Sequence, residues 1–149
     1  MGRLNRDYQI DGDVTPLVKE MTQEAINFFE GSSGESGPSQ FTDETTAREV
    51  LGTEGTVASG RMSLTFAIEM LRRYFGADVF NRSGMVDLRF LRPVRPGDTL
   101  TTLIRVCEKR ASQSRSDRGY VRCEFETTNQ NGEVVMTQSC QEIISTRPK

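Results

Sequence analysis

The chain has 149 residues, with 19 Lys and Arg against 21 Asp and Glu, three cysteines, no tryptophan and no histidine. Without histidine, neither a Ser-His-Asp nor a Cys-His catalytic system nor a His-ligated zinc site can be built within one chain. Proton transfer must then come from Asp, Glu, Lys, Tyr, Cys, bound water or another subunit. A formal charge of −2 without a concentrated basic tract gives no electrostatic reason to expect nucleic acid or an anionic membrane as partner.

The length suits a single domain that needs no disulfide or metal staple. Cys107, Cys123 and Cys140 are odd in number, widely spaced and without a CxxC pair, so they read as reduced thiols of a cytoplasmic protein. Met1 to Asp13 lacks the apolar core of a signal peptide, and no stretch approaches the roughly 18 apolar residues of a membrane span. Residues 1–13 are expected to form an arm and residues 14–149 the domain.

Pro16 to Met21 predicts a short strand, with the proline tolerable only at an edge or first position. Thr22 is placed to cap a helix whose residues Ala25, Ile26, Phe28 and Phe29 give one buried stripe. The Gly- and Ser-rich run from Gly31 to Gln40 is a loop by composition, yet it lies between two helical stretches, which favours a functional or packed role. Asp43 to Leu51 is the second of these stretches. From Ser59 to Phe75, apolar residues recur at three- and four-residue spacings, and Leu64 and Ile68 widen the face, which suits a helix wrapped by a sheet. Gly76 is its natural stop.

Beyond Gly76 the period falls from 3.6 to 2. Val86, Leu88 and Phe90 mark one strand, Leu100 to Val106 a second, Val121 to Phe125 a third and Val134 to Ile144 a fourth, with a hairpin signal at Asn131 and Gly132. Lys109 to Arg118 reads as a long hairpin tip. The sum is an α+β fold: a long central helix followed by four strands in antiparallel succession, with a fifth strand at the start.

The segment Leu88-Arg89-Phe90-Leu91-Arg92-Pro93-Val94-Arg95-Pro96-Gly97-Asp98-Thr99-Leu100 resembles one typical of the hot-dog fold, in particular the MaoC-like group that includes R-specific enoyl-CoA hydratases. Pro16 to Ile26 resembles that family's opening strand and helix, and Val57-Ala58-Ser59-Gly60-Arg61-Met62 the start of its central helix. The resemblance runs from about Val14 to about Ile144. It implies a long central helix wrapped by a curved antiparallel sheet of about five strands.

The catalytic loop of such hydratases reads approximately Gly-Asp-x-Asn-Pro-x-His-x-Asp. Gly34-Glu35-Ser36-Gly37-Pro38-Ser39-Gln40 fits this frame without a gap, placing Glu35 at the Asp, Gly37 at the Asn and Gln40 at the His. A slip of one residue would instead set Phe41 at the His and bring Asp43 into frame. Ser59 stands where members often carry a second His.

In the family the Asp/His pair activates a water that adds across the double bond of an enoyl thioester, and backbone amides at a helix start stabilise the enolate. The resemblance therefore implies a diverged hydratase or dehydratase with Glu35 as general base and acid, Gln40 orienting and the Gly60 N–H as oxyanion donor. Gly37, Pro38, Phe41, Asp43, Ser59 and Arg61 would border the substrate. Glutamine cannot exchange protons near neutral pH, whereas one carboxylate can act as base and then as acid. A hot-dog thioesterase and a non-catalytic acyl-binding or partner subunit are the alternatives. Neither cofactor nor metal is implied. The expected partners are an acyl-CoA or acyl-carrier-protein thioester and a second copy of the chain, in a homodimer or assembly of dimers, or a different chain in a heteromer.

Overall fold

A computed structural model describes residues 15–33, 37–76 and 84–145. The expected arm at 1–13 and the loop residues Gly34, Glu35 and Ser36 lie outside the described residues. The chain order is β1 (Leu17–Glu20), α1 (Gln23–Ser33), α2 (Glu44–Leu51), α3 (Gly60–Phe75), β2 (Gly84–Phe90), β3 (Thr99–Ala111), β4 (Arg118–Thr128) and β5 (Val134–Ser145).

The strands form one antiparallel sheet in the order β1-β3-β4-β5-β2. The expected succession therefore holds only for β3, β4 and β5. β2 does not lie beside β3; it pairs with β5 at the far edge, and residues 91–98 carry the chain from one side of the sheet to the other. The reason is visible in the bonds of this crossover. Leu91 N–H donates to Val135, Val94 accepts from Ala58 N–H at 2.7 Å, and Asp98 accepts from Met21 N–H at 2.8 Å. Pro93 and Pro96 lack N–H groups and so suit a strap outside the ladder. Gly97, at φ 96°, supplies the turn, and the Asp98 carboxylate accepts from Arg95 N–H.

Alternation sets which side chains meet α3. The register places Leu100, Thr102, Ile104 and Val106 on one face of the sheet with Val121, Cys123, Phe125 and Thr127, and with Met136, Gln138 and Cys140. Against that face α3 buries Phe66, Ala67, Met70, Leu71, Tyr74 and Phe75. Complete burial of each large apolar side chain contributes about 1.5–3 kcal/mol, so this helix-on-sheet layer dominates stability. Tyr74 is buried with its hydroxyl satisfied: it donates to Thr15 O and accepts from Thr15 N–H.

Two local expectations are corrected. Phe28 is not in a buried stripe of α1 but 80% exposed; the inward residues are Ile26 and, one turn later, Glu30. The β3–β4 hairpin is longer in strand and shorter in loop than composition suggests, because Lys109, Arg110 and Ala111 pair with Val121, Tyr120 and Gly119. Exposed strand ends tolerate polar side chains on both faces, and Arg110 lies over the Tyr120 ring at 4.7 Å.

Candidate active site at the start of the central helix

The crossover, the segment before α3 and the loop before α2 converge on the first turn of α3. Ser59 is the N-cap, with extended φ and ψ, but its hydroxyl bonds no amide of the helix. It is 2% exposed, and its Oγ has no partner among the described residues. The first N–H groups of a helix lack intrahelical acceptors, and here the side chain that ordinarily takes one is turned elsewhere. The start of α3 thus keeps donors and the positive end of the helix dipole available for developing negative charge.

Gly60 lies beside a hollow of about 320 Å³ between this turn, the crossover and the ends of β2 and β5, lined among others by Ala58, Ser63, Phe90 and Met136. The Phe90 ring lies so close that a Cβ on Gly60 would fall 2.1 Å from its Cζ. Glycine at this position lets an aromatic ring rest directly on the helix start. A larger hollow, about 630 Å³, is an open groove on the opposite face of the sheet, between outward side chains such as Leu103, Arg105, Glu124 and Glu126. No helix residue lines it, so it has no helix-start donors to offer.

Gln40 is half-buried, and its carbonyl accepts from Val57 N–H at 3.2 Å, which fastens the α1–α2 loop to the segment entering α3. The loop is ordered by further bonds. Ser39 is buried and its carbonyl accepts from Thr42 and Asp43, Phe41 O accepts from the Gln23 amide, and Gln23 in turn accepts from the Thr56 hydroxyl. Gly37 is exposed at φ 101°, a left-handed backbone that a larger residue adopts only with strain, and Pro38 follows it on the surface. Glu35 is one of the three residues of this loop that lie outside the described set.

Asp43 is the N-cap of α2. Its carboxylate accepts from Thr46 N–H and Thr46 Oγ1, both at 2.8 Å, and the Thr46 backbone bond chiefly holds its pKa below the ordinary value. That carboxylate is committed to the helix. Arg61, carried from the sequence as a ligand contact, donates from Nη2 to Glu30 Oε2 at 2.8 Å. Glu30 is 2% exposed, and its Oε1 is buried with no partner among the described residues. Sequence reasoning missed this carboxylate. Its signal was weak: a charged residue four after the buried Ile26, hence on the inner face of α1. The structure thus gathers Gln40, Ser59, Gly60, Arg61 and Glu30 around one helix start, and leaves Pro38 and Asp43 on the periphery.

A family model described as the MaoC-like domain matches residues 9–128. No curated protein is significantly similar in sequence. Among solved structures, a MaoC-like dehydratase from Rhodospirillum rubrum is 28% identical with a TM-score of 0.71, over 93% of this chain and 94% of that one. A protein from Archaeoglobus described as a monoamine oxidase regulatory protein is 26% identical with a TM-score of 0.77, over 98% and 97%. The R-hydratase PhaJ1 from Pseudomonas aeruginosa, at 22% identity and a TM-score of 0.73 over 98% and 88%, shares the fold. With the helix-on-sheet architecture and the family match over most of its length, the chain belongs to the MaoC-like dehydratase family and has its hot-dog fold.

Proposed function

We propose that the protein hydrates or dehydrates an acyl thioester, with the start of α3 as its oxyanion site. The observation that carries this reading is the first turn of α3, where the Ser59 hydroxyl caps no amide and Gly60 borders a hollow. In the hydration direction, water adds to the β-carbon of an enoyl thioester and the carbonyl oxygen gains charge. The Gly60 N–H and the helix dipole stabilise that charge. Glu35 takes the proton from water as the C–O bond forms and returns a proton to the α-carbon, and Gln40 orients the water or the carbonyl. A carboxylate alone can serve both steps because the proton it takes up in the first is the one it delivers in the second, which regenerates it.

The test is the absorbance of an enoyl thioester incubated with the purified protein. Loss of the conjugated band without release of free thiol is expected; thiol release from a saturated acyl-CoA would indicate hydrolysis instead, and no turnover a binding subunit. Glu35→Gln is expected to lower turnover at least about a hundredfold. Unchanged turnover in that variant would remove Glu35 from the mechanism.

The assembly proposed is a homodimer. Among the described residues β2 is an edge strand paired only with β5, and it ends in exposed apolar residues, Met85 at 61% and Phe90 at 57%. An edge of that kind calls for cover. A particle of twice the 16.7 kDa chain is expected by light scattering. A mixed pair is the second reading, favoured by the absence of histidine from the whole chain, since a partner could supply an imidazole. Two proteins of the same fold were solved as complexes, ChsH1-ChsH2 and HadBC, both from Mycobacterium tuberculosis.

A further inference from the structure

Phe90 is the last residue of β2, and its ring is held against the start of α3. Its backbone pairs with Met136, and the next two residues donate from their N–H groups to Val135 O at 2.9 and 3.3 Å. From this fixed base the ring reaches the first residue of the helix: a Cβ on Gly60 would collide with Cζ, Cε1 and Cε2 of Phe90. The far end of the ring therefore rests on the Gly60 backbone, and only glycine leaves room for it there.

Gly60 and Phe90 border the same hollow, and Phe90 differs from the walls opposite. Val94, Val135 and Met136 are buried in the core and give way only by disturbing its packing. Phe90 is more than half exposed, so its ring is a partition between the hollow and the outside. The hollow, about 320 Å³, stands at the lower end of ligand pockets, which span about 300–1,000 Å³. That volume suits the acyl part of a thioester, without its pantetheine and nucleotide arms, and a chain that grows beyond it meets either the core or the ring.

We propose that Phe90 is the specificity residue that sets acyl-chain length, its ring being the movable wall of the hollow, so that short acyl chains are accepted and long ones are turned away. The inference rests on the acyl-thioester reading above. Truncating the ring costs little packing, because so much of it is exposed, and it joins the hollow to the outside, which gives a longer chain a way through. Each methylene that an apolar pocket admits or refuses changes affinity about tenfold or more.

The experiment is calorimetric titration of the full chain with butyryl-CoA and octanoyl-CoA, repeated on Phe90→Ala and on Met85→Ala. The second variant removes an exposed apolar side chain from the same strand that does not border the hollow. Butyryl-CoA is expected to bind the unsubstituted protein at least about tenfold more tightly than octanoyl-CoA, and Phe90→Ala to raise the octanoyl-to-butyryl affinity ratio at least about tenfold. Met85→Ala should leave that ratio unchanged. Octanoyl-CoA bound as tightly as butyryl-CoA by the unsubstituted protein, or an unchanged ratio in Phe90→Ala, overturns the proposal and leaves the thioester reading standing. Equal shifts in the two variants overturn it as well, since the edge strand and not the ring would then be the cause. Binding of neither thioester overturns the thioester reading and this inference with it. If Phe90→Ala does not fold, Phe90→Leu makes the same comparison with a smaller shift expected, and the unsubstituted protein still decides whether chain length is read.

Discussion

Asp43 and Ser59 occupy the same position relative to their helices and do different things. Asp43 closes two bonds to Thr46, whereas Ser59 closes none. Asp43→Ala should therefore lower stability, and Ser59→Ala should leave it unchanged or raise it, as read from urea unfolding midpoints. A loss in Ser59→Ala equal to that in Asp43→Ala would mean that Ser59 caps after all. The Asp43 pKa is lowered in the folded state, so its contribution is present above the ordinary carboxylate value of 3.8 and lost as pH falls below it. Residue type and spacing disclosed that both positions begin helices. They could not tell which side chain is spent on its helix and which is left over, because that depends on what the neighbouring chain does. The same holds for Arg61: its partner Glu30 lies 31 positions earlier and is brought to it by α1.

At the level of elements, hydrophobic period made α3 and the cores of the strands legible, because a helix face and a pleated face repeat at different intervals. Strand ends were not legible, and the β3–β4 hairpin shows why: Lys109 to Ala111 are polar, and only pairing with β4 makes them strand. Between these two strands Thr102 and Thr127 share a hydrogen bond of 2.8 Å, and both are almost wholly buried facing α3. Removing one hydroxyl strands the other. Thr127→Val should destabilise by about 1–3 kcal/mol, and adding Thr102→Val should recover most of that loss, a coupling that a double-mutant cycle in urea would measure. Strictly additive losses would contradict the pairing.

For the whole molecule, charge and topology act across elements. On the outer face of the sheet Glu124 of β4 is bonded by Arg105 of β3 and by Arg122, and these contacts, Arg105 first, together with Cys107, hold its pKa down to about 2 from 4.5. Stability from this group is thus fully present above 4.5 and lost as pH falls through about 2. Acid unfolding curves of Glu124→Gln should be flatter over that window than those of the unsubstituted protein; identical slopes would show that the network contributes nothing. Burial pushes the Cys123 thiol up, so it should resist alkylation in the folded state. By itself the sequence determined the element types, the long central helix, the missing imidazole and, through the crossover segment and the helix-start segment, the family. These are local matters of period, turn chemistry and residue identity. Tertiary structure alone decided that β2 joins β5 and not β3, that Gln40 is tied to the approach to α3, and that Ser59, Glu30 and Gln138 keep buried polar atoms unpaired among the described residues. Each of those depends on contacts between residues far apart in the chain, where loop closure and packing, not local preference, choose the neighbour.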